Sequence, residues 1–306
     1  MSFTAKDVQL LRERTGVGMM DCKKALVEAD GDMDKAINIL REKGLAAAAK
    51  KSGRVAAEGL VYAYVDADRK VGSMVEVNSE TDFVAKNQEF QAFVKKVAQV
   101  VTEKNPSDLD ALLKAEFENG QTVTETLREK ILVIGENLSI RRFARFEGEV
   151  VSYVHGEGRI GVLVRLEAAD GLNPDVLYEC GKDIAMQIAA LNPLYLDKDS
   201  VPQGDIEKEK EILIAQIKND PKNANKPEQI IEKMVEGRLG KFYENNCLLN
   251  QAFVKDNGIT VGQYVAKMSE KAGGEIKVAE FVRFEKGEGL QKREDNFADE
   301  VASMIK

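Results

Sequence analysis

Residues able to carry bond chemistry are few. His155 is the single histidine, and Cys22, Cys180 and Cys247 are the only cysteines. A triad with a histidine base, a two-histidine zinc site or a phospho-histidine relay would each have to run through that one imidazole. The cysteines are far apart, odd in number and form no Cys-x-x-Cys. That fits a reducing compartment and argues against both a disulfide framework and a zinc site. No G-x-x-x-x-G-K-[ST] phosphate loop occurs. Gly156-Glu-Gly158-Arg-Ile-Gly161 does match G-x-G-x-x-G. The dinucleotide form of that motif needs a strand before it and a helix after it, so that a pyrophosphate meets a helix N-terminus. Here Val150–Val154 and Gly161–Leu166 are both strand-like, so the motif reads as a β-hairpin turn. The 52 Asp and Glu side chains present no pair that stands out for general acid–base work. The balance favours a binding protein, with no cofactor and no metal.

The segment with the most distinctive chemistry is Asn78-Ser-Glu-Thr-Asp-Phe-Val-Ala-Lys86. It follows a strand ending at Val77 and leads into a helix through Phe90, Phe93, Val94 and Val97. Thr81 or Asp82 can cap that helix, because a short side-chain oxygen satisfies orphan N–H groups. Phe83 then falls in the first turn. Two readings stand at this point: a capped helix with Phe83 packed inward, or a projecting aromatic wedge beside a carboxylate, fit to enter a partner's pocket.

The elements that must position this segment show an internal repeat. Glu58-Gly-Leu-Val-Tyr-Ala-Tyr64-Val65 echoes Glu147-Gly-Glu-Val-Val-Ser-Tyr153-Val154. Val71–Val77 echoes Ile160–Leu166 at the same offset of 89. Val97 through Asn105-Pro106 echoes Ile184 through Asn192-Pro193, and Glu136–Phe143 echoes Gly274–Phe281. Each copy reads strand, turn, strand, helix and a later third strand. The pattern implies two similar α+β subdomains, each a small antiparallel sheet backed by helices. Before them, residues 1–44 read as three short helices. Thr4 and Asp7 form a capping-box variant, Asp21 opens the second helix, Asp32 caps the third and Gly44 ends it. Leu45–Gly53 is a low-complexity linker, helical or flexible. The second copy is interrupted by two amphipathic stretches, Asp205–Lys218 and Glu228–Phe242, joined by the Asp220–Pro227 turn. These make an antiparallel helical hairpin, read either as a partner surface or as a solvated arm. Asp295–Ile305 reads as a terminal helix.

Composition bounds the rest. The 306 residues are 43% hydrophobic and 31% charged, with a net charge of −8, enough chain for one large domain or two to three smaller ones. No run of about 18 apolar residues exists to span a membrane. The N-terminus carries acids early and lacks an apolar stretch, so it reads as neither a secretory signal nor a transit peptide. Residues 1–54 hold 11 basic and 8 acidic side chains, a mildly basic head on an acidic body. Because the two signs are mixed, direct nucleic-acid binding is not expected. An adaptor that binds through its head, or an enzyme of unrecognised chemistry, would be the rival readings.

Several strings resemble translation elongation factor Ts. They are Leu11–Leu26, Thr81-Asp-Phe-Val-Ala-Lys86, Ile134-Gly-Glu-Asn137, His155 with Gly158–Val164, Glu232–Arg238 and Arg283-Phe-Glu. They follow the family's order over nearly the whole chain. The resemblance implies an α+β fold with a three-helix ubiquitin-associated-like N-terminal domain, a duplicated core and an inserted antiparallel coiled-coil hairpin. The corresponding division is 1–53, 54–143, 144–198 with 240–285, 199–239, and a C-terminal module at 286–306. It implies guanine-nucleotide exchange on elongation factor Tu in the cytoplasm, with no enzymatic bond chemistry. In that family the Thr-Asp-Phe-Val segment displaces the magnesium bound with GDP, which carries over to Thr81, Asp82, Phe83 and Val84. Arg12, Met19, Met20 and Lys23 become head contacts, and Ile134, Gly135, His155 and Val254 match other contact positions. Lys255 stands where the family's pattern suits an apolar residue. The resemblance leaves the arm's contacts unassigned and admits a dimer of heterodimers.

Overall fold

The computed structural model describes residues 3–220, 222–223 and 226–291. The expected helix at 295–305 lies outside the described residues.

Three helices open the chain: α1 (Ala5–Thr15), α2 (Met19–Glu28) and α3 (Met33–Lys51). Thr4 and Asp7 close the capping box on α1, and Gly16 ends it at φ 66°, a left-handed conformation that suits glycine. Gly18, not Asp21, is the N-cap of α2; Asp21 lies inside its first turn. Asp32 caps α3 as expected, but Gly44 does not end it. The helix runs through Gly44 and the alanine run to Lys51, absorbing the expected linker. Alanine is the best helix former. At Gly44 the helix passes close to a later helix, where an added Cβ would lie 3.6 Å from the Arg128 carbonyl oxygen.

The first sheet joins β1 (Glu58–Val65), β2 (Val71–Ser79) and β5 (Ser139–Glu147), antiparallel in the order β1-β2-β5. Between β2 and β5 run α4 (Asp82–Ala85), α5 (Gln88–Lys104), α6 (Leu109–Lys114), the short ribbon β3 (Glu116–Glu118) with β4 (Gln121–Thr122), and α7 (Val123–Ile134). Leu60, Val75 and Val77 pack against Phe90, Phe93, Val94, Val97 and Val101 in a continuous core. The second sheet joins β6 (Glu149–His155), β7 (Ile160–Ala168) and β10 (Ile276–Glu285), in the order β10-β7-β6. It is backed by α8 (Pro174–Leu191) and α11 (Val261–Ala272). Between those helices come α9 (Gln203–Asn219), α10 (Glu228–Asn246) and a ribbon of β8 (Ala252–Phe253) with β9 (Asp256–Thr260). The echoed Asn105 and Asn192 end α5 and α8 alike, at φ 48° and 45°. The G-x-G-x-x-G match is the β6–β7 hairpin turn.

The two sheets pack face to face through Val61, Met74, Val150, Leu163 and Phe284. The repeat becomes spatial here. A Cβ on Gly161 would lie 2.5 Å from Val61, and a Cβ on its counterpart Gly72 would lie 2.5 Å from Val150, the counterpart of Val61. Each sheet thus offers a glycine notch to the other's valine.

α9 and α10 form the inserted hairpin over a seam of Leu213, Ile217, Ile231, Val235 and Leu239. Both run slightly longer than the apolar stripe implied. No described helix is long and apolar enough to cross a membrane.

Candidate partner-binding site

The Thr81–Lys86 segment leaves the end of β2 and forms α4, one turn long and separate from α5. The two helices were expected as one. Asn87 breaks them: its side chain caps α5, accepting from the N–H of Glu89 and Phe90 at 2.8 and 3.1 Å. Thr81 occupies the N-cap of α4 with extended backbone, but its hydroxyl makes no cap bond. It donates instead to Glu136 Oε1 at 2.7 Å, while its N–H donates to Glu136 Oε2 at 3.0 Å. The expected capping role is therefore replaced by a clamp to a residue 55 positions away.

Within α4 the apolar side chains divide. Val84 is buried in the first sheet's core. Phe83 is 78% exposed, the highest exposure of any large apolar side chain among the described residues. The inward-packed reading of Phe83 is thus overturned. Asp82, also exposed, pairs with Lys86 Nζ at 3.0 Å, and that hydrogen bond holds its carboxyl below the usual carboxylate range.

Ile134 and Gly135 sit beside this stem. Ile134 is half-buried against the first core, and Gly135 ends α7 at φ 85°. The turn there delivers Glu136 to Thr81. The next residue, Asn137, donates its N–H to Glu80 Oε1 at 2.6 Å and its side-chain amide to the Arg54 carbonyl at 2.8 Å. Sequence reading placed Glu136 and Asn137 in a motif without assigning them this role. Their partners are distant in sequence, so no local pattern reveals the bonds.

Asp82 and Lys86 line a cleft of about 590 Å³. The Gly156–Arg159 turn and Lys286 line the same cleft. Gly158 is buried, and its carbonyl accepts from the Val61 N–H at 2.7 Å, seating the turn on β1. His155, at the start of that turn, is exposed, its Nδ1 3.0 Å from the Tyr153 hydroxyl.

In the head, Arg12, Met19, Met20 and Lys23 are all exposed at the junction of α1 and α2. Met19 and Met20 are 41% and 62% exposed beside a well-filled small core. The head is not free of the tip's support. Leu132 and Val133 of α7 pack into the head's core, and α7 then ends at Gly135.

Val254 is held by a different set of elements. It lies between β8 and β9, 38% exposed, its N–H donating to Gln187 Oε1 at 2.8 Å. Lys255, where the resemblance led one to expect an apolar residue, has a charged partner in the fold. Its ammonium meets the mostly buried Asp183 at 2.6 Å, and Asp183 also accepts from the Tyr264 hydroxyl at 2.8 Å. Burial and this bond to Asp183 both push the Tyr264 phenol up.

Residues 80–288 match the family model described as elongation factor TS. The chain is 54% identical over 305 residues to elongation factor Ts of Clostridium perfringens strain SM101, covering 99% of each protein. It is 52% identical over 306 residues to that of Clostridium botulinum strain Eklund 17B, again covering 99% of each. With elongation factor Ts of Clostridium acetobutylicum it shares 49% identity over 307 residues, 99% of this chain and 98% of that one. A family match over two thirds of the chain, with relatives this similar from end to end, places the chain in the elongation factor Ts family.

Proposed function

We propose that this chain is a guanine-nucleotide exchange factor for elongation factor Tu in cytoplasmic translation, and that Asp82 and Phe83 are its working tip. Family membership supports the general role. The observation that supports the tip is Phe83: a large ring left in water on a stem tied down by Glu136, Glu80 and Asn137. Exposed aromatic anchors are common centres of protein interfaces.

An exchange factor makes and breaks no covalent bonds. It binds the nucleotide-free GTPase better than the nucleotide-bound form, and linkage makes nucleotide and factor weaken each other reciprocally. Accelerating GDP release about 10⁴-fold requires roughly 5.5 kcal/mol off the barrier. Burying one phenylalanine contributes about 1.5–3 kcal/mol. Phe83 therefore needs help. Asp82 acts near the partner's magnesium, whose charge dominates such a site, and must trade its Lys86 partner to do so. Arg12, Met19, Met20 and Lys23 of the head, Ile134 and Gly135, His155 and Val254 supply docking energy that holds the tip in place.

The test is stopped-flow GDP release from elongation factor Tu with Phe83→Ala. Release should slow about ten- to a hundredfold, the range of the lost burial, with circular dichroism unchanged. A wild-type rate would refute the role of the tip. An adaptor would bind without changing nucleotide release at all.

A further inference from the structure

We propose that Glu136 is a positioning residue for the Asp82–Phe83 tip: its carboxylate clamps both hydrogen-bond donors of Thr81 and so fixes the direction in which α4 leaves the sheet. The proposal rests on the exchange reading above and adds a residue to it.

The geometry is specific. Glu136 Oε1 accepts from the Thr81 hydroxyl at 2.7 Å and Oε2 from the Thr81 N–H at 3.0 Å. Hydrogen bonds to a charged acceptor are among the stronger ones, and a two-point attachment sets orientation as well as distance. A threonine at an N-cap ordinarily turns its oxygen toward the helix's own free N–H groups. Here that bond is absent, and the hydroxyl points across the chain to Glu136. The Ser79 hydroxyl donates to the Thr81 carbonyl at 2.9 Å, so three groups of Thr81 are fixed within the stem. A helix of one turn has little stability of its own. Its aim is set by what holds its first residue.

The mount is also stiff. Glu136 follows Gly135, whose φ of 85° turns the chain sharply out of α7. α7 is gripped on one side by the first core and on the other by the head, through Leu132, Val133 and the Lys51 ammonium on the Ile131 carbonyl. One residue on, Asn137 N–H meets Glu80, the residue before Thr81. Two consecutive residues of the turn between α7 and β5 thus hold two consecutive residues of the stem. A tip that works by entering a partner's pocket has to be aimed, and a two-point mount on a stiff support fixes that aim.

The experiment compares Glu136→Ala, Glu136→Gln, Thr81→Val and the double variant Glu136→Ala/Thr81→Val. Amide hydrogen exchange at Thr81 is followed by NMR in the free protein, and GDP release is titrated to saturation with each factor. Glu136→Ala should speed Thr81 amide exchange and lower the saturating release rate about tenfold, while the half-saturating concentration shifts less than twofold. Glu136→Gln, which keeps an acceptor oxygen, should recover part of the rate. The double variant should be no slower than Glu136→Ala alone, since both remove the same clamp. Unchanged Thr81 protection in Glu136→Ala overturns the clamp, whatever the exchange assay gives. A wild-type saturating rate for Glu136→Ala, with Phe83→Ala impaired, overturns the positioning role and leaves the exchange reading standing. A wild-type rate for Phe83→Ala instead sinks the tip reading on which the proposal rests. If Glu136→Ala melts early, Thr81→Val carries the test, and a wild-type saturating rate for it overturns the proposal.

Discussion

Phe83 and Val84 are adjacent residues of similar hydrophobicity, and only one of them is in the core. A helix rotates about 100° per residue, so a four-residue turn lying on a sheet must leave one of two neighbours in water. Glu76 shows the converse, a charge taken fully out of water. Burial alone would raise its carboxyl. The Gly287 N–H, the Asn78 amide and the Arg142 guanidinium outweigh that and hold it below its usual range. Arg141 adds a bond at 3.1 Å. A carboxyl lowered in the folded state stabilises the fold above its ordinary value of 4.5, and this is lost as pH falls through the lower folded value. Glu76→Gln should therefore destabilise the protein at neutral pH by about 3 kcal/mol. That is the low end for breaking a buried pair, because Arg141 and Arg142 remain 25% and 29% exposed. The gap between variant and wild type should narrow in acid. Urea melts at about pH 7 and about pH 3.5 check this; a gap independent of pH would mean that Glu76 stabilises by shape, not by charge.

Elements differed in how far the sequence revealed them. The three strands of each large sheet, though not the short β3–β4 and β8–β9 ribbons, the β6–β7 turn and the capping box of α1 rest on local chemistry: alternation, glycine at positive φ, a threonine three residues before an aspartate. All were legible. The extension of α3 past Gly44 was legible only as one option, a helical linker, because the alanine run favours a helix while Gly44 suits a stop. The break between α4 and α5 carried a local signal, Asn87 before Gln88, but Thr81 was the more conspicuous cap and its hydroxyl was already engaged by Glu136. Whether Phe83 faced in or out could not be read from a pattern both readings shared. The repeat was legible as sequence, while its physical use was not: the paired notches at Gly72 and Gly161 appear only when the sheets are stacked. A methyl on Gly161 would meet Val61 at 2.5 Å and Met74 at 2.7 Å. Gly161→Ala should cost about 1–3 kcal/mol by overpacking. Gly171→Ala, with open space around it but the same left-handed strain as other glycines at positive φ, should cost about 1 kcal/mol. Thermal melts of the two variants separate crowding between the sheets from backbone strain; equal losses would show that the notch is not tight.

At the scale of the molecule, the head and the tip meet through α7. The helix gives Leu132 and Val133 to the head's core and Ile131 to the first subdomain's core, then ends in the turn that presents Glu136 to the stem. Removing residues 1–53 would therefore do two things at once: delete the contact surface proposed for the head and strip apolar cover from α7. A single exposed side chain separates them. Met20 is 62% exposed and lies outside the head's core, so Met20→Ala leaves the α3–α7 packing intact. If the head only anchors the complex, its binding energy is the same before and after GDP leaves. Uniform binding of this kind changes affinity without changing the rate of the bound complex. Met20→Ala should then weaken binding to elongation factor Tu about tenfold, roughly 1.4 kcal/mol of lost apolar burial, measured by calorimetry. GDP release at saturating factor should be unchanged. Phe83→Ala should show the reverse, with a slower saturating rate and a smaller change in affinity. A fall in the saturating rate for Met20→Ala would mean that head contacts are made more strongly in the transition state than before it, so that the head and the tip would have to act as one device joined by α7.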